Sequence, residues 1–178
     1  RSSALAGPEP GRAPAPAGQL PVDAVQVAVH EAFGSYAPLA VAEAVVELAG
    51  RLGATCVVGP GTERGNEVLA HVAALLDLPL AANCVAVAVA DADADAGVTR
   101  VRWGGSLLEE ARVDAPTLLL TVQPHAVAVE PGAGDWPSVE TFTPTLSDAA
   151  LALRVVERVG AATGGVSLAD ARVVVSGG

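Results

Sequence analysis

A glycine-rich loop is the part of the sequence whose residue types and spacing best suit anion binding. The loop GPGTERG, residues 59–65, follows a predicted strand, Cys56 to Gly59, and precedes a predicted helix, Asn66 to Leu76. Backbone N–H groups at the start of a helix bind phosphate well. The pattern is neither G-x-G-x-x-G nor a Walker loop, because the Lys-Ser/Thr pair is absent. Glu63 and Glu67 would also repel a phosphate. A plain strand-to-helix connection is therefore favoured over a nucleotide site.

The other candidate sites match their chemistry less well. An EF-hand loop started at Asp91 needs glycine at its sixth position and glutamate at its twelfth. The chain has Ala96 and Arg102 there, so the acidic run DADAD is interpreted as a solvated turn. The three histidines are far apart and none pairs with a Ser or Cys nucleophile. His125 is the best placed, since it follows a predicted central strand, but no single residue predicts a catalytic site.

Composition excludes several classes of partner. The 178 residues are 51% hydrophobic but only 3% aromatic, so the core must consist of Ala, Val and Leu. The net charge is −10 and every basic residue is arginine, which argues against a nucleic-acid or anionic-membrane surface. No uninterrupted apolar run reaches the roughly 18 residues of a membrane helix. We predict a cytoplasmic protein with no nucleic-acid partner and no membrane insertion.

Two cysteines complete the list of reactive side chains. Cys56 and Cys84 both lie in apolar, strand-like runs, and neither belongs to a C-x-x-C pair or a histidine cluster. Reduced core thiols are therefore expected, and a metal site is not.

Strands and helices alternate in the first half of the chain. Residues 1–21, rich in Ala, Pro and Gly, predict a linker or ragged end. A strand (Val22 to Val29), a helix (Pro38 to Leu52, stopped by Gly53), and the strand, loop and helix of residues 56–76 follow. This order predicts an α/β fold with an open, mostly parallel sheet and flanking helices.

The second half is predicted to be richer in strands. The expected strands are Leu80 to Val89, the two arms of a hairpin around Gly104-Gly105 (residues 98–103 and 107–113), Pro116 to Val122 at the sheet centre, Val139 to Phe142 and Leu151 to Val159. The segment LLEEARV is alternatively the start of a short helix. The predicted domain spans residues 22–160. Residues 161–178 form a linker, with a helical turn near Ser167, and the start of another domain.

Four segments occur in an order that resembles a known family. They are residues 62–74, where Thr62, Gly65, Val72, Ala73 and Ala74 match; Arg102-Trp103-Gly104-Gly105-Ser106; Thr121-Val122-Gln123-Pro124 with Glu130-Pro131; and ARVVVSGG, residues 171–178. Together they resemble the alpha subunit of electron transfer flavoprotein, over roughly residues 22–178. The departures are Glu63 for a serine, Asn66 for a basic residue, Ala70-His71 for Pro-Arg, and Gln123 for an arginine. The hairpin turn lacks the family's Tyr and Asn.

The resemblance implies a fold and a role. It implies an adenine-nucleotide-hydrolase-like N-terminal domain that packs against a beta subunit, which holds AMP. FAD would be held mainly by a C-terminal domain, of which this chain has only the first strand and glycine turn, Ser176, Gly177 and Gly178. The first strand–helix–strand of the N-terminal domain would be absent, so the chain looks cut at both ends.

The implied function is electron transfer rather than catalysis in its own right. The chain would be an alpha-like scaffold domain of a heterodimer that passes electrons from dehydrogenases to an acceptor such as a quinone reductase. The alternative is a stand-alone nucleotide-binding module of the universal-stress-protein type, which would use the loop at residues 59–65. A hydrolase ranks last, because the phosphate loop of such enzymes is missing.

Overall fold

The chain forms strands and helices in the alternating order that its sequence predicts. The computed structural model describes residues 3–6, 22–89, 95–128, 137–153, 155, 157, 166 and 170–176. Its elements are β1 (Ser3–Ala6), β2 (Ala24–Ala28), α1 (Pro38–Leu52), β3 (Cys56–Pro60), α2 (Glu63–Leu76), β4 (Leu80–Val89), β5 (Asp95–Arg102), β6 (Leu107–Asp114), β7 (Leu118–Val122), β8 (Ser138–Phe142) and α3 (Asp148–Ala152).

The described strands form two sheets rather than the single sheet predicted. One has the order β1-β2-β8 and the other the order β3-β7-β4-β5-β6. Four of the six strand pairings are parallel, and only β4–β5 and β5–β6 are antiparallel. The prediction of an α/β fold with mostly parallel strands is therefore confirmed. The hairpin is confirmed too, with Gly104 and Gly105 at its tip at φ of 60° and 99°.

Strand β7 lies between two core clusters. It is an interior strand that pairs with β3 on one side and with β4 on the other, but β4, and not β7 as predicted, is the middle strand of the five. Because strand side chains alternate between faces, Leu118 and Leu120 pack in one cluster and Leu119 in the other. The first cluster also contains Ala81, Cys84, Ala96 and Val98, and the second contains Ala42, Leu69 and Val72. A continuous apolar run is what a strand covered on both faces requires.

Helix α1 packs against both sheets. It begins with Pro38, which suits the first helical turn, and ends at Gly53, whose φ of 59° few other residues adopt. Its Ala44 and Leu48 pack against β2 and β8, in a cluster with Ala28 and Phe142. Its Ala42, Val45 and Val46 pack instead in the cluster that contains α2 and β7. One helix therefore joins the two sheets.

The segment before α3 is tied to the outer face of α1. The carboxylate of Glu47 accepts a hydrogen bond from the Thr145 backbone N–H at 2.8 Å, and Glu43 accepts one from the Ser147 N–H at 2.8 Å. The Ser147 hydroxyl in turn accepts from the Ala150 N–H and caps α3. Leu151 and Ala152 are therefore helical, and the strand predicted to begin at Leu151 is not formed there, because the serine cap starts a helix.

Other details of the prediction also differ. Residues Ser3–Ala6 lie within the range predicted as a linker. They pair with β2 as a parallel strand, because β2 offers a strand with which their backbone can pair. Helix α2 begins at Glu63 rather than Asn66, because Thr62 caps it. Residues 107–113 form a strand and not a helix, paired with β5. Most of the acidic run at residues 91–95 and the helical turn predicted near Ser167 lie outside the described residues.

The segment before Ser176, expected to contain the first strand of a following domain, forms no strand over residues 170–176. This segment has no regular structure, and Val175 is 94% exposed. No described strand pairs with it, and an apolar segment without a ladder partner does not form a strand by itself.

Truncating the centre of β7 should destabilise the whole fold. Leu119 has no exposed surface, and Leu119→Ala removes a fully buried side chain and leaves a cavity. We expect a loss of about 2–5 kcal/mol in the free energy of unfolding, measured by urea denaturation. Leu108→Ala, at a position 70% exposed on β6, is the matched control and should change it by less than about 0.5 kcal/mol. Equal effects of the two substitutions would contradict this placement of the core.

Candidate functional site

The glycine loop lies at the corner where β3 leads into α2. We call this the βα corner: residues 59–65 together with Asn66, Asn83 and Thr121. It lies at the carboxyl ends of β3 and β7, which are neighbouring parallel strands. In open α/β sheets that edge is where ligands bind, so its geometry decides between a nucleotide site and a plain connection.

The glycine loop packs closely against the backbone carbonyl groups of Val122 and Pro60. The Gly61 N–H donates to the Val122 carbonyl at 2.6 Å. A Cβ atom at Gly61 would lie 2.7 Å from that carbonyl oxygen, and one at Gly65 would lie 2.0 Å from the Pro60 oxygen. Both glycines are therefore required by close packing of the loop on the strands.

One backbone N–H group in the first turn of α2 is hydrogen-bonded to a side chain of the loop. The Thr62 hydroxyl accepts a hydrogen bond from the Gly65 N–H at 3.1 Å, the usual geometry of a helix N-cap. The Asn66 N–H continues with a bond to the Thr62 carbonyl at 2.8 Å. A ligand anion would have to compete with this cap for the same donors.

Three polar residues beneath the loop are hydrogen-bonded to one another. The Thr121 hydroxyl accepts from the Asn83 backbone N–H at 2.8 Å and donates to the Asn66 Oδ1 at 2.6 Å. The Asn66 Nδ2 donates to the Asn83 Oδ1 at 3.1 Å. Asn83 has a φ of 58°, a left-handed conformation that asparagine tolerates better than most residues. Because Thr121 is fully buried, this network fixes the corner.

The sequence did not indicate a role for Asn83, and it indicated Thr121 only as part of the motif at residues 121–124. The available signals were a single asparagine inside the apolar run of β4 and a single threonine at the end of the apolar run of β7. Each is ordinary by itself. Only the parallel pairing of β3, β7 and β4 brings them to Asn66.

The outer side of the corner carries acidic side chains, and its Tyr36 contacts both Glu67 and Arg64. The Tyr36 hydroxyl donates to the Glu67 carboxylate, and the Arg64 guanidinium lies 5.7 Å from the centre of the Tyr36 ring. Glu63 occupies the first turn of α2. The exposed guanidinium of Arg64 therefore lies over an aromatic ring. The negative charges of Glu63 and Glu67 beside it disfavour phosphate binding. The described groups of the corner form no nucleophile–base pair.

A second polar group lies where β7 meets the antiparallel strands. The Gln123 N–H donates to the Cys84 carbonyl at 2.9 Å, and Arg100, opposite Cys84, donates to both oxygens of Glu109 at 2.9 Å. The Arg100 Nε and the Gln123 Oε1 are buried without a partner in the described part of the chain. Burial raises the pKa of the Cys84 thiol, and the charge of Arg100 opposes that shift. Cys84 is therefore an unreactive core thiol.

The other predicted residues do not converge on a site. Cys56 was expected in the core but is exposed, because it shares a face of β3 with the exposed Val58, whereas Val57 on the opposite face packs against the core. His125 is exposed in a turn with a φ of 66°, and His30 accepts from the Ala32 N–H as a cap. Among the described residues no group of His, Cys, Asp and Glu could hold a metal ion. Ser176 is exposed, and Gly177 and Gly178 lie outside the described residues.

The described residues do not build a flavin pocket. The two best-formed depressions have volumes of about 480 and 460 Å³ and are open to solvent. One lies on strands β4, β5 and β6, and the other between α1, α2 and residues 145–147. A flavin needs a deeper, mostly apolar cavity with placed polar groups. The described part of this chain therefore does not fit FAD by itself.

Comparison with known proteins agrees with the order of motifs. The family model for the electron transfer flavoprotein domain matches residues 3–147, which is most of the chain and includes the whole βα corner. No curated protein matches the sequence significantly. Within the described residues, none of the helices is both long and apolar enough to cross a membrane.

Removing the Thr121 hydroxyl should open the corner. Thr121→Val keeps the shape of the side chain but leaves the Asn83 N–H and the Asn66 Oδ1 without their buried partner. We expect a loss of about 1–3 kcal/mol in the free energy of unfolding. Faster amide exchange at Asn83, measured by NMR, should accompany it. Thr121→Ser retains the hydroxyl and is the control. If the valine and serine variants behave alike, the network is not what holds the corner.

Proposed function

Because the chain belongs to the electron transfer flavoprotein domain family, we propose that it is the N-terminal scaffold domain of an alpha-like subunit. In this role it pairs with a beta-like subunit and supports FAD-mediated electron transfer from dehydrogenases to an acceptor of the quinone-reductase type. The domain itself is a structural element of an electron carrier and not a catalyst. The family match across residues 3–147 carries this proposal.

The geometry of the βα corner supports a scaffold role. The loop is packed against β7 through Gly61, and the Thr121 hydroxyl joins Asn66 to Asn83 beneath it. A corner whose donors and acceptors satisfy each other adds rigidity rather than a binding site. The matching loop of a nucleotide-binding protein would leave its backbone N–H groups free for phosphate.

The choice of the alpha subunit rests on the motif order at the end of the chain. ARVVVSGG, residues 171–178, resembles the entry to the FAD-binding domain of alpha subunits, and we propose that Ser176, Gly177 and Gly178 begin its first glycine turn. FAD, when bound in the parent protein, supplies the one- and two-electron chemistry. AMP belongs to the beta-like partner in this proposal, and the complex is placed in the cytoplasm.

Co-expression tests the pairing. The full-length parent, produced with the neighbouring beta-like gene, should purify as a heterodimer with flavin absorbance near about 375 and 450 nm. The 178-residue chain produced by itself should be colourless, because its described residues form no flavin cavity. A heterodimer without flavin, or a parent protein that does not bind the beta-like chain, would contradict the proposal.

Nucleotide titration distinguishes the proposed scaffold role from the alternative, a stand-alone nucleotide-binding module. The order of strand, glycine loop and helix favours a universal-stress-protein-type module as the second candidate. If the scaffold proposal is correct, calorimetry of the chain with ATP or AMP should show no saturable heat up to about millimolar ligand. Any binding would then be weaker than a dissociation constant of about 1 mM, which corresponds to roughly −4 kcal/mol of binding free energy. Micromolar binding that Glu63→Gln strengthens would instead assign the loop to a phosphate.

A further inference from the structure

Two glutamates one turn apart on α1 hold the segment at residues 145–152, which we call the strap. It consists of the three residues before α3 and α3 itself. Glu47 accepts a hydrogen bond from the Thr145 N–H at 2.8 Å. Glu43 accepts two, from the Ser147 N–H at 2.8 Å and from the Ser147 hydroxyl at 2.5 Å. Both carboxylates of this helix turn therefore bind donors of the strap.

Little apolar packing adds to these bonds. Thr145 and Ser147 are exposed, and Ala150 is the one strap residue that is buried, in a cluster with two alanines at the start of α1. Helix α3 has five residues, fewer than a helix needs to be stable by itself. Its cap, the Ser147 hydroxyl, is itself held by Glu43. Because segments with few buried apolar contacts open at a lower free energy than the core, the strap depends on the two carboxylates.

Glu47 has a second partner within reach. The Arg51 Nη1 lies 3.8 Å from the Glu47 Oε1, too far for a direct hydrogen bond. A glutamate followed four residues later by a cation is the favourable order on a helix. The Arg51 guanidinium also lies 5.1 Å from the centre of the Phe142 ring, at the end of β8 and just before the strap. Glu47 can therefore bind either the strap or Arg51.

We propose that the strap is a two-state element that opens and closes on α1. In the closed state Glu43 and Glu47 hold it, as in this structure. In the open state Glu47 pairs with Arg51, Glu43 faces water, and residues 145–152 leave α1 while both sheets stay folded. The hinge follows Phe142, which is fixed by strand pairing and by the core. This device is separate from the function proposed above.

Amide exchange of the 178-residue chain, measured by NMR, tests whether the strap opens as one unit. Thr145 and Ser147 should exchange faster than Leu119, which reports the core. Glu43→Gln removes the charge and one acceptor oxygen, and it should accelerate exchange at both strap amides roughly tenfold while Leu119 is unchanged. The Thr145 amide is decisive, because it is bonded to the other glutamate. Glu110→Gln, at an exposed position on β6, is the matched control and should change neither strap amide.

A substitution of Arg51 distinguishes a two-state element from a passive clamp. If Arg51 is the partner of Glu47 in the open state, Arg51→Gln disfavours opening and should slow exchange at Thr145 about twofold. An arginine that only stabilises the closed fold would give the opposite change. Arg51→Lys retains the positive charge and should behave as the unmodified chain does.

Three results would overturn the proposal. The first is equal exchange at Thr145 and Leu119 in the unmodified chain, since the strap would then open only when the whole domain unfolds. The second is acceleration at Ser147 alone in Glu43→Gln, which would mean that the two carboxylates act separately. The third is unchanged or faster exchange at Thr145 in Arg51→Gln.

Discussion

Burial of β7 on both faces is the constraint on which the other elements depend. Leu118 and Leu120 fill the cluster shared with β4 and β5, and Leu119 fills the cluster shared with α1 and α2. The strand is therefore almost wholly apolar, as strands covered on both faces are. The one polar side chain within it, Thr121, occurs at its end, where two asparagines satisfy the hydroxyl.

The βα corner has an arrangement typical of ligand sites, but its polar groups are largely hydrogen-bonded to one another. It has the strand, glycine loop and helix of a phosphate site, but its glycines pack on backbone and its threonine caps the helix. Charge leads to the same conclusion, since Glu63 and Glu67 lie at the helix start and Arg64 is placed over Tyr36. The chain is a member of the electron transfer flavoprotein domain family, and the matched region includes this corner.

Helix α1 is long enough to cover both sheets, and the acidic side chains Glu43 and Glu47 hold residues 145–147 on its outer face. Among the described strands, β3 pairs only with β7 and is therefore an edge strand. Cys56 and the exposed Val58 share one face of β3, while Val57 on the other face packs against the core, so an apolar sequence context does not bury Cys56.

The sequence by itself determined the class of fold and the position of most elements. Helical spacing and Gly53 predicted α1, the continuous apolar run predicted β7 as a buried strand, and Gly104-Gly105 predicted the hairpin, because each depends on local propensity and patterning. The order of motifs also indicated the family. Tertiary structure decided what local patterns do not encode: that β2 and β3 belong to different sheets, that Cys56 is exposed while Cys84 is buried, and that Asn66, Asn83 and Thr121 meet. The physical reason is that strand pairing joins residues distant in sequence, and only the completed sheet determines which side chains share a face or an edge.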